Sequence, residues 1–215
     1  LQAHLKLPVT GVCDDATWAA ILAHLDKDIS PSVGFVINTN HEHPKLFAYA
    51  RPWPDIMGIT LHQTGCRMPE DPMKWKNLNA HIGATSKGVT VLCNPPTDMI
   101  WHAQGLSKRT VGIEIAGNFY GVEGNEGTLW KGGGGAAVLN DDQIDAVNRG
   151  IEWILAQFKA HGAVCRGIFA HRQSSKTRHG DPGSAIWEKI AIPWMGKLGI
   201  HISENLNYKS GDGRM

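Results

Sequence analysis

The segment AHRQSSKTRHGDPG, residues 170–183, places a histidine directly after a strand-like apolar run and an acidic turn shortly afterwards. His171 closes the run, and a Gly-Asp-Pro-Gly turn presents Asp181 ten positions later. A second apolar run, GITLH, ends in His62. Two imidazoles and one carboxylate are the protein ligands that a catalytic zinc needs when its fourth position stays open to water. The sequence therefore predicts a Zn²⁺ site formed by His62, His171 and Asp181.

Ordinary turns and unrelated histidines are the simpler interpretation of the same residues. The chain contains 11 histidines, so two of them can follow apolar runs without sharing a role. An Asp-Pro-Gly sequence is most often a turn whose aspartate bonds its own backbone. Further motifs are therefore needed to decide between a turn and a ligand loop.

Strand-like runs recur along most of the chain, at 56–62, 88–93, 98–102, 110–116 and 166–170, with helical stretches between them. This alternation is typical of an α/β fold with a mixed central β-sheet flanked by helices. Ser86-Lys87-Gly88 lies between two apolar runs and predicts a hairpin turn. At least one strand pair should therefore be antiparallel.

The clearest helix is predicted over residues 141–161. Asn140 can cap its first turn together with Gln143, and His161-Gly162 provides the usual glycine stop. Apolar side chains recur at helical spacing, at Ile144, Val147, Ile151, Leu155 and Phe158. This helix is expected to be scaffold.

A second helix is predicted after the Asp-Pro-Gly turn, with Ile186, Ile190 and Trp187 facing inward until Pro193 interrupts the pattern. Residues 121–135 lie between the strand-like run 110–116 and the helix predicted over 141–161. They contain seven glycines and predict a flexible loop or lid. Trp130 in this segment is a candidate for stacking on a sugar.

Charge and cysteine content exclude several classes of protein. With 21 basic and 20 acidic residues the net charge is +1, so the sequence lacks the electrostatic pattern of a nucleic-acid or membrane-surface binder. No apolar run approaches the length of a membrane span, and a monomer is expected. Cys13, Cys66, Cys93 and Cys165 form no CxxC pair, which argues against a zinc finger. Buried thiols are expected, with one or two disulfides as the alternative.

Several motifs accompany the three predicted ligands in a fixed order: NAH at 79–81, WHA at 101–103 and GIEIAGN at 112–118. Together they resemble the zinc-dependent N-acetylmuramoyl-L-alanine amidases of the type 2 family, which also contains peptidoglycan recognition proteins and phage amidase lysozymes. The resemblance covers about residues 50–195. It implies hydrolysis of the amide bond between N-acetylmuramic acid and L-alanine, with peptidoglycan or a muropeptide as substrate.

The resemblance also implies residue roles. Glu114 in the GIE motif is the expected general base, since the position of an alternative family tyrosine is here Ala80. His179 stands where many of these amidases carry an oxyanion-stabilising lysine, and Arg178 next to it is the alternative source of positive charge. In the family, the histidine of WHA lines the cleft, so His102 is expected to contact substrate.

The NAH histidine, His81, is expected to support the site from behind, although a hydrogen-bonded core histidine is at least as common. With Trp130 and Arg178, His102 completes the predicted substrate-binding set.

The sequence also predicts a division of the chain into four segments. Residues 1–27 resemble part of a helical peptidoglycan-binding module, or else form a small helical arm on the main domain. Residues 28–50 are proline-containing and predict a linker, 51–200 the catalytic domain, and 201–215 a flexible tail.

Other functions remain open at this point. A non-catalytic peptidoglycan recognition module is the first alternative, although such relatives usually lack a metal ligand. An unrelated zinc peptidase is less favoured because no HExxH motif occurs in the sequence. A structural virion or wall-anchoring protein is the third. The expected place of action is the bacterial cell wall, for a secreted or periplasmic enzyme or a phage-delivered endolysin.

Overall fold

The computed structural model describes residues 34–37, 47–75 and 78–200. The chain divides into two units, Leu1–Gly34 and Phe35–Met215, and the second contains every element described below. The predicted helical segment 1–27, Cys13 and the predicted tail 201–215 lie outside the described residues.

Eight strands form two sheets in the part of the chain that the structure describes. They are β1 (Phe35–Ile37), β2 (Phe47–Ala50), β3 (Gly58–Gln63), β4 (Ile82–Ala84), β5 (Thr90–Leu92), β6 (Asp98–Ile100), β7 (Thr110–Ile115) and β8 (Gly167–Ala170). The main sheet has the order β1-β5-β4-β7-β3-β8, and only its β4–β5 pair is antiparallel. The strands β2 and β6 form a separate antiparallel pair. The predicted mixed sheet and its antiparallel hairpin are thus confirmed.

Four α-helical segments follow or interrupt the strands: α1 (Asp141–Ala160), α2 (His171–Ser174), α3 (Ser184–Ile186) and α4 (Ile192–Leu198). A π-helical turn, Trp187–Ala191, joins α3 to α4. Short 3-10 turns lie at Trp53–Asp55, Pro72–Trp75, Gln104–Lys108 and Glu126–Thr128. No helix among the described residues is long and apolar enough to cross a membrane.

Helix α1 begins and ends as predicted. The Asn140 side chain accepts from the backbone of Gln143, and the Gln143 side chain bonds back to Asn140, which completes a capping box. Gly162 after the helix has a φ of 64°, in the left-handed region that favours glycine. This helix packs its apolar face onto β4, β5 and β7 and forms one layer of the core.

Pro193 does not interrupt the last helical stretch, so that part of the prediction is wrong. Proline lacks an N–H and is tolerated in the first turn of a helix. The π-helical turn before it resets the hydrogen bonding, so that Pro193 falls in the first turn of α4. Ile186, Trp187 and Ile190 are buried, as predicted.

The segment predicted as a linker contains two strands, β1 and β2, and β1 joins the edge of the main sheet. Pro31 and Pro44, the prolines of residues 28–50, lie outside these two strands. A proline outside a strand does not exclude the strand.

The main sheet separates a core face from a site face. Side chains on a strand alternate between its faces, and the core face of the central strand β3 carries Ile59 and Leu61. Thr60 and His62 alternate with these two residues along β3, so their side chains lie on the opposite face. In β7 the same alternation buries Ile113 and Ile115 in the core. Helix α1 and the stretch from α3 to α4 pack on the core face, while loops, 3-10 turns and the short helix α2 lie on the site face.

The three described cysteines are free thiols. Cys93 is buried, while Cys66 and Cys165 are half-buried. Burial raises the pKa of the Cys93 thiol to about 12. This agrees with the prediction of thiols within the described part of the chain.

Candidate metal centre

Three neighbouring parallel strands bring the predicted site residues to one edge of the sheet. His62 in β3 lies in register with Glu114 in β7, so both side chains leave the same face. On the other side of β3, Leu61 pairs with Ala170, the last residue of β8. His171 comes next in the chain and therefore lies beside His62. The carboxyl ends of parallel strands are where α/β folds commonly form their sites.

His62, His171 and Asp181 are buried and meet in one cluster. One ligand atom from each lies within 4.8 Å of the others. The Nδ1 atoms of the two imidazoles are 3.1 Å apart, and Nδ1 of His171 lies 2.9 Å from an Asp181 carboxylate oxygen. Nδ1 of His62 is 3.8 Å from the other carboxylate oxygen. Tetrahedral zinc with bonds near 2.1 Å spaces its ligands by roughly 3.4 Å, so the observed separations suit such an ion.

The Asp181 carboxylate is held in place by the backbone. Its Oδ1 accepts a hydrogen bond of 3.0 Å from the backbone N–H of Gln63. The Gln63 side-chain oxygen accepts from the backbone N–H of Gly183 at 2.9 Å and of Phe119 at 3.3 Å. Gln63 thus fastens the Asp-Pro-Gly turn to the end of β3. The sequence analysis did not identify Gln63. The feature that could have indicated it is a polar side chain directly after His62, at the end of an apolar strand.

The charges in the cluster are arranged for a cation. Burial by itself would raise the pKa of Asp181, but its hydrogen bond with His171 and the neighbouring His62 imidazole outweigh burial and leave that pKa well below its usual range. Burial lowers the pKa of His62, which favours the neutral imidazole. A metal requires an ionised carboxylate and neutral imidazoles as ligands, and Asp181 and His62 meet that requirement.

Glu114 lies at the border between the cluster and a cavity. Its Oε1 is 4.0 Å from Nδ1 of His62, and its side chain is 16% exposed. Its Oε2 is buried without a hydrogen-bond partner among the described residues. Burial, followed by the charge of Asp181, raises the pKa of Glu114 well above its usual value, while Arg178 opposes this. The cavity has a volume of about 260 Å³ and is also lined by Thr64, Met68, Lys74, Trp75, Leu78 and Asn79.

His102 and His81 lie behind the cluster. Nδ1 of His102 is 2.9 Å from Nε2 of His62, and Nε2 of His102 is 3.2 Å from the Thr110 carbonyl oxygen. His81 accepts from the backbone N–H of Gly112 and contacts the Asp98 carbonyl through its other ring nitrogen. His102 is 8% exposed, and both of its ring nitrogens are engaged. The predicted substrate contact of His102 stays a prediction, but this geometry points to a supporting role.

The segment 121–135 is held by polar bonds and not by apolar burial. Asn118 accepts from the backbone N–H of Trp130 and donates to the Trp130 and Gly134 carbonyls. Arg172 donates to the Gly121 carbonyl at 2.9 Å. The prediction of a flexible loop stays a prediction; it considered only apolar anchoring and did not include the hydrogen bonds of Asn118 and Arg172.

Trp130 and Arg178 contact each other beside the cluster. The Arg178 guanidinium lies 4.5 Å from the centre of the Trp130 ring, a cation–π contact. Trp130 is 47% exposed, and the positive charge of Arg178 acts on both Glu114 and His62. His179 is exposed, and its carbonyl accepts from Arg172. The role predicted for the His179 side chain stays a prediction.

Comparison with known proteins agrees with this architecture. The structure resembles N-acetylmuramoyl-L-alanine amidase LysC from Clostridium intestinale URNW, with a TM-score of 0.52 and 14% identity over 77% of this chain and 98% of that chain. For Drosophila Peptidoglycan Recognition Protein (PGRP)-SA, the TM-score is 0.51 and the identity 13%, over 80% and 97% of the two chains.

The Ph2119 endolysin from Thermus scotoductus MAT2119 bacteriophage Ph2119 has a TM-score of 0.50 and 14% identity, over 78% of this chain and 99% of that chain. At these identities the likeness establishes the fold alone. No curated protein sequence matches the chain. The sequence model described as N-acetylmuramoyl-L-alanine amidase matches residues 52–184, more than half of the 215 residues. The chain therefore belongs to the type 2 N-acetylmuramoyl-L-alanine amidase family.

Proposed function

We propose that this protein is a zinc-dependent amidase that cleaves the bond between N-acetylmuramic acid and L-alanine in peptidoglycan. The observation that carries the proposal is the position of Glu114. Glu114 has a buried carboxylate oxygen without a hydrogen-bond partner, beside three residues suited to a metal. Such an oxygen lowers the stability of the folded protein, and a catalytic role explains why it is present. A structural metal site needs no such carboxylate at the wall of an open cavity.

His62, His171 and Asp181 would hold the zinc, and their number leaves a coordination position open. Bound there, zinc would supply Lewis acidity to the amide carbonyl and lower the pKa of an attacking water. Glu114 takes one proton from that water and passes it to the amide nitrogen as the C–N bond breaks. The products are the carboxylate of the muramic acid side and the free amino group of L-alanine.

Arg178 is the best-placed source of positive charge for the oxyanion. Its guanidinium packs on Trp130, and its positive charge acts on both Glu114 and His62. The Trp130 ring contacts the guanidinium, and its exposed part is available to a sugar. His179 is the alternative, as the residue at the position of the family lysine.

The protein's partner in this proposal is peptidoglycan or a muropeptide, and the site of action is the bacterial cell wall. The similar structures point the same way, since their names describe an amidase, an endolysin and a peptidoglycan recognition protein. The recognition protein favours a second candidate, a module that binds the same ligand without cleaving it. The presence of all three ligand types together with Glu114 favours the enzyme.

Purified sacculi provide the direct test. Incubation with the zinc-loaded protein should release new amino groups that labelling identifies as L-alanine, without an increase in reducing sugar ends. Removal of zinc with a chelator should abolish the release, and added zinc should restore it. A protein that holds zinc and binds sacculi but releases no amino groups would be a recognition module.

Replacing Arg178 and His179 separately should show which residue stabilises the oxyanion. We expect Arg178→Ala to lower turnover by at least about tenfold, since a charged donor to the transition state is lost, while zinc content stays unchanged. His179→Ala should have a smaller effect, and His179→Lys should leave the alkaline limb of the pH–rate profile unchanged. The opposite ranking, or a flatter alkaline limb with lysine, would assign the role to His179.

A further inference from the structure

We propose that His102 is a positioning residue that fixes the tautomer of His62, so that Nδ1 of His62 presents a lone pair to the metal. The inference rests on the proposed zinc site and adds a residue that does not itself bind the ion. An imidazole can bind a metal only through a nitrogen that carries no proton, and the hydrogen bond of its other nitrogen decides which one that is.

The argument begins at the Thr110 carbonyl, which can only accept hydrogen bonds. Nε2 of His102 lies 3.2 Å from this oxygen and must therefore carry the proton. In the neutral ring, Nδ1 of His102 is then an acceptor. It lies 2.9 Å from Nε2 of His62, which must donate. Nδ1 of His62 is left unprotonated and faces His171 and Asp181.

His102 is neutral at this position. The ring is buried and lies against two other imidazoles, with centroid separations of 5.0 Å to His62 and 5.5 Å to His81. Its two nitrogens face the His62 ring and the Thr110 carbonyl, so no carboxylate stands at either nitrogen to stabilise a second proton.

The contacts on the opposite side of His62 agree with the same tautomer. Nδ1 of His171 contacts an Asp181 carboxylate oxygen at 2.9 Å, and an ionised carboxylate can only accept. Nδ1 of His171 therefore carries a proton in the metal-free protein. Nδ1 of His62 lies 3.1 Å from this nitrogen and 3.8 Å from the other Asp181 oxygen, beyond hydrogen-bond distance, so the Asp181 carboxylate requires no proton on Nδ1 of His62.

The fold holds the His102 ring in place. The backbone N–H of His102 donates to the Ser107 hydroxyl at 3.0 Å. The ring lies on Gly112 of β7, where an added Cβ would come within 2.9 Å of Nδ1 of His102. Arg51 donates to the same Thr110 carbonyl at 2.7 Å, so this oxygen stays satisfied when the His102 side chain is changed.

Two substitutions separate the hydrogen bond from the bulk of the ring. His102→Phe keeps a planar ring and removes the acceptor. His102→Asn places an amide oxygen where Nδ1 stands, since both atoms lie one bond beyond Cγ, and it restores the acceptor. Trp101→Phe, at the exposed neighbouring position, and His161→Phe, a histidine outside the site that stacks on Trp53, serve as matched controls.

The first measurement is the zinc dissociation constant, obtained by competition with a chelator. We expect His102→Phe to weaken zinc binding by roughly 10- to 100-fold, the usual effect of losing a partner behind a metal-binding histidine. His102→Asn should recover most of this loss, and both controls should bind like the wild type. Wild-type affinity in a folded His102→Phe protein, or no recovery with asparagine, would overturn the proposal.

The second measurement does not depend on the variants folding or on zinc. Nitrogen-15 NMR of the metal-free wild type should show the His62 proton on Nε2 and an unprotonated Nδ1. A proton on Nδ1 of His62 would overturn the proposal. If the wild type bound no zinc, the proposed function would fall, while this spectrum would still decide the tautomer.

Discussion

Asp181→Ala protein should purify with almost no zinc, whereas the wild type should hold about one ion per chain. Three protein ligands leave no spare coordination, so the loss of any one should release the metal. His62→Ala and His171→Ala should behave in the same way, because the three ligand atoms lie within 4.8 Å of one another. Activity on sacculi should fall to background in all three variants, which makes this the largest effect that we expect. Elemental analysis after dialysis measures the zinc.

His161→Ala is a suitable control because it removes a histidine that stacks on Trp53 outside the cluster. It should keep a full complement of zinc. Circular dichroism of each ligand variant shows whether the protein is still folded. Full zinc in all three folded ligand variants would contradict the metal site.

Glu114→Gln should keep both zinc and fold while it loses at least about 100-fold in turnover, the usual contribution of a positioned general base. Glutamine has nearly the shape of glutamate but cannot take a proton. Glu114 lies 4.0 Å from Nδ1 of His62 and is not one of the three proposed ligands, so the metal should remain. Turnover on sacculi and zinc content, measured on the same preparation, separate the two effects.

Glu123→Gln is the matched control, since Glu123 is exposed on the segment 121–135 and should show wild-type turnover. Near-normal turnover of Glu114→Gln would leave Glu114 as a structural residue. Loss of zinc from this variant would instead assign it a ligand role.

Strand alternation made part of the candidate site predictable. In β3 and β7 apolar side chains occupy every second position, so a polar residue between them must face the other side of the sheet. That reasoning placed Glu114 on the correct face. The helical spacing and capping pattern of α1 were equally local, and the structure reproduces both.

Contacts between distant segments were not predictable in this way. Gln63 accepts a hydrogen bond from Gly183, which lies 120 positions away, and no local pattern predicts that contact. The same holds for Asn118 and the segment 121–135. The order of the strands, with β8 beside β3, also depends on packing of the whole sheet. The supporting role of His102 follows from hydrogen-bond partners that only the folded chain brings together.

The register between β3 and β7 positions residues of the core and residues of the candidate site at the same time. A shift of one residue between these strands would break the match of Leu61 with Ile113, and in the same step that of His62 with Glu114. An insertion or deletion inside either strand would thus disrupt the core and also displace His62 relative to Glu114. Sequence drift in this family is for that reason expected to accumulate length changes in the loops, while these two six-residue strands keep their length.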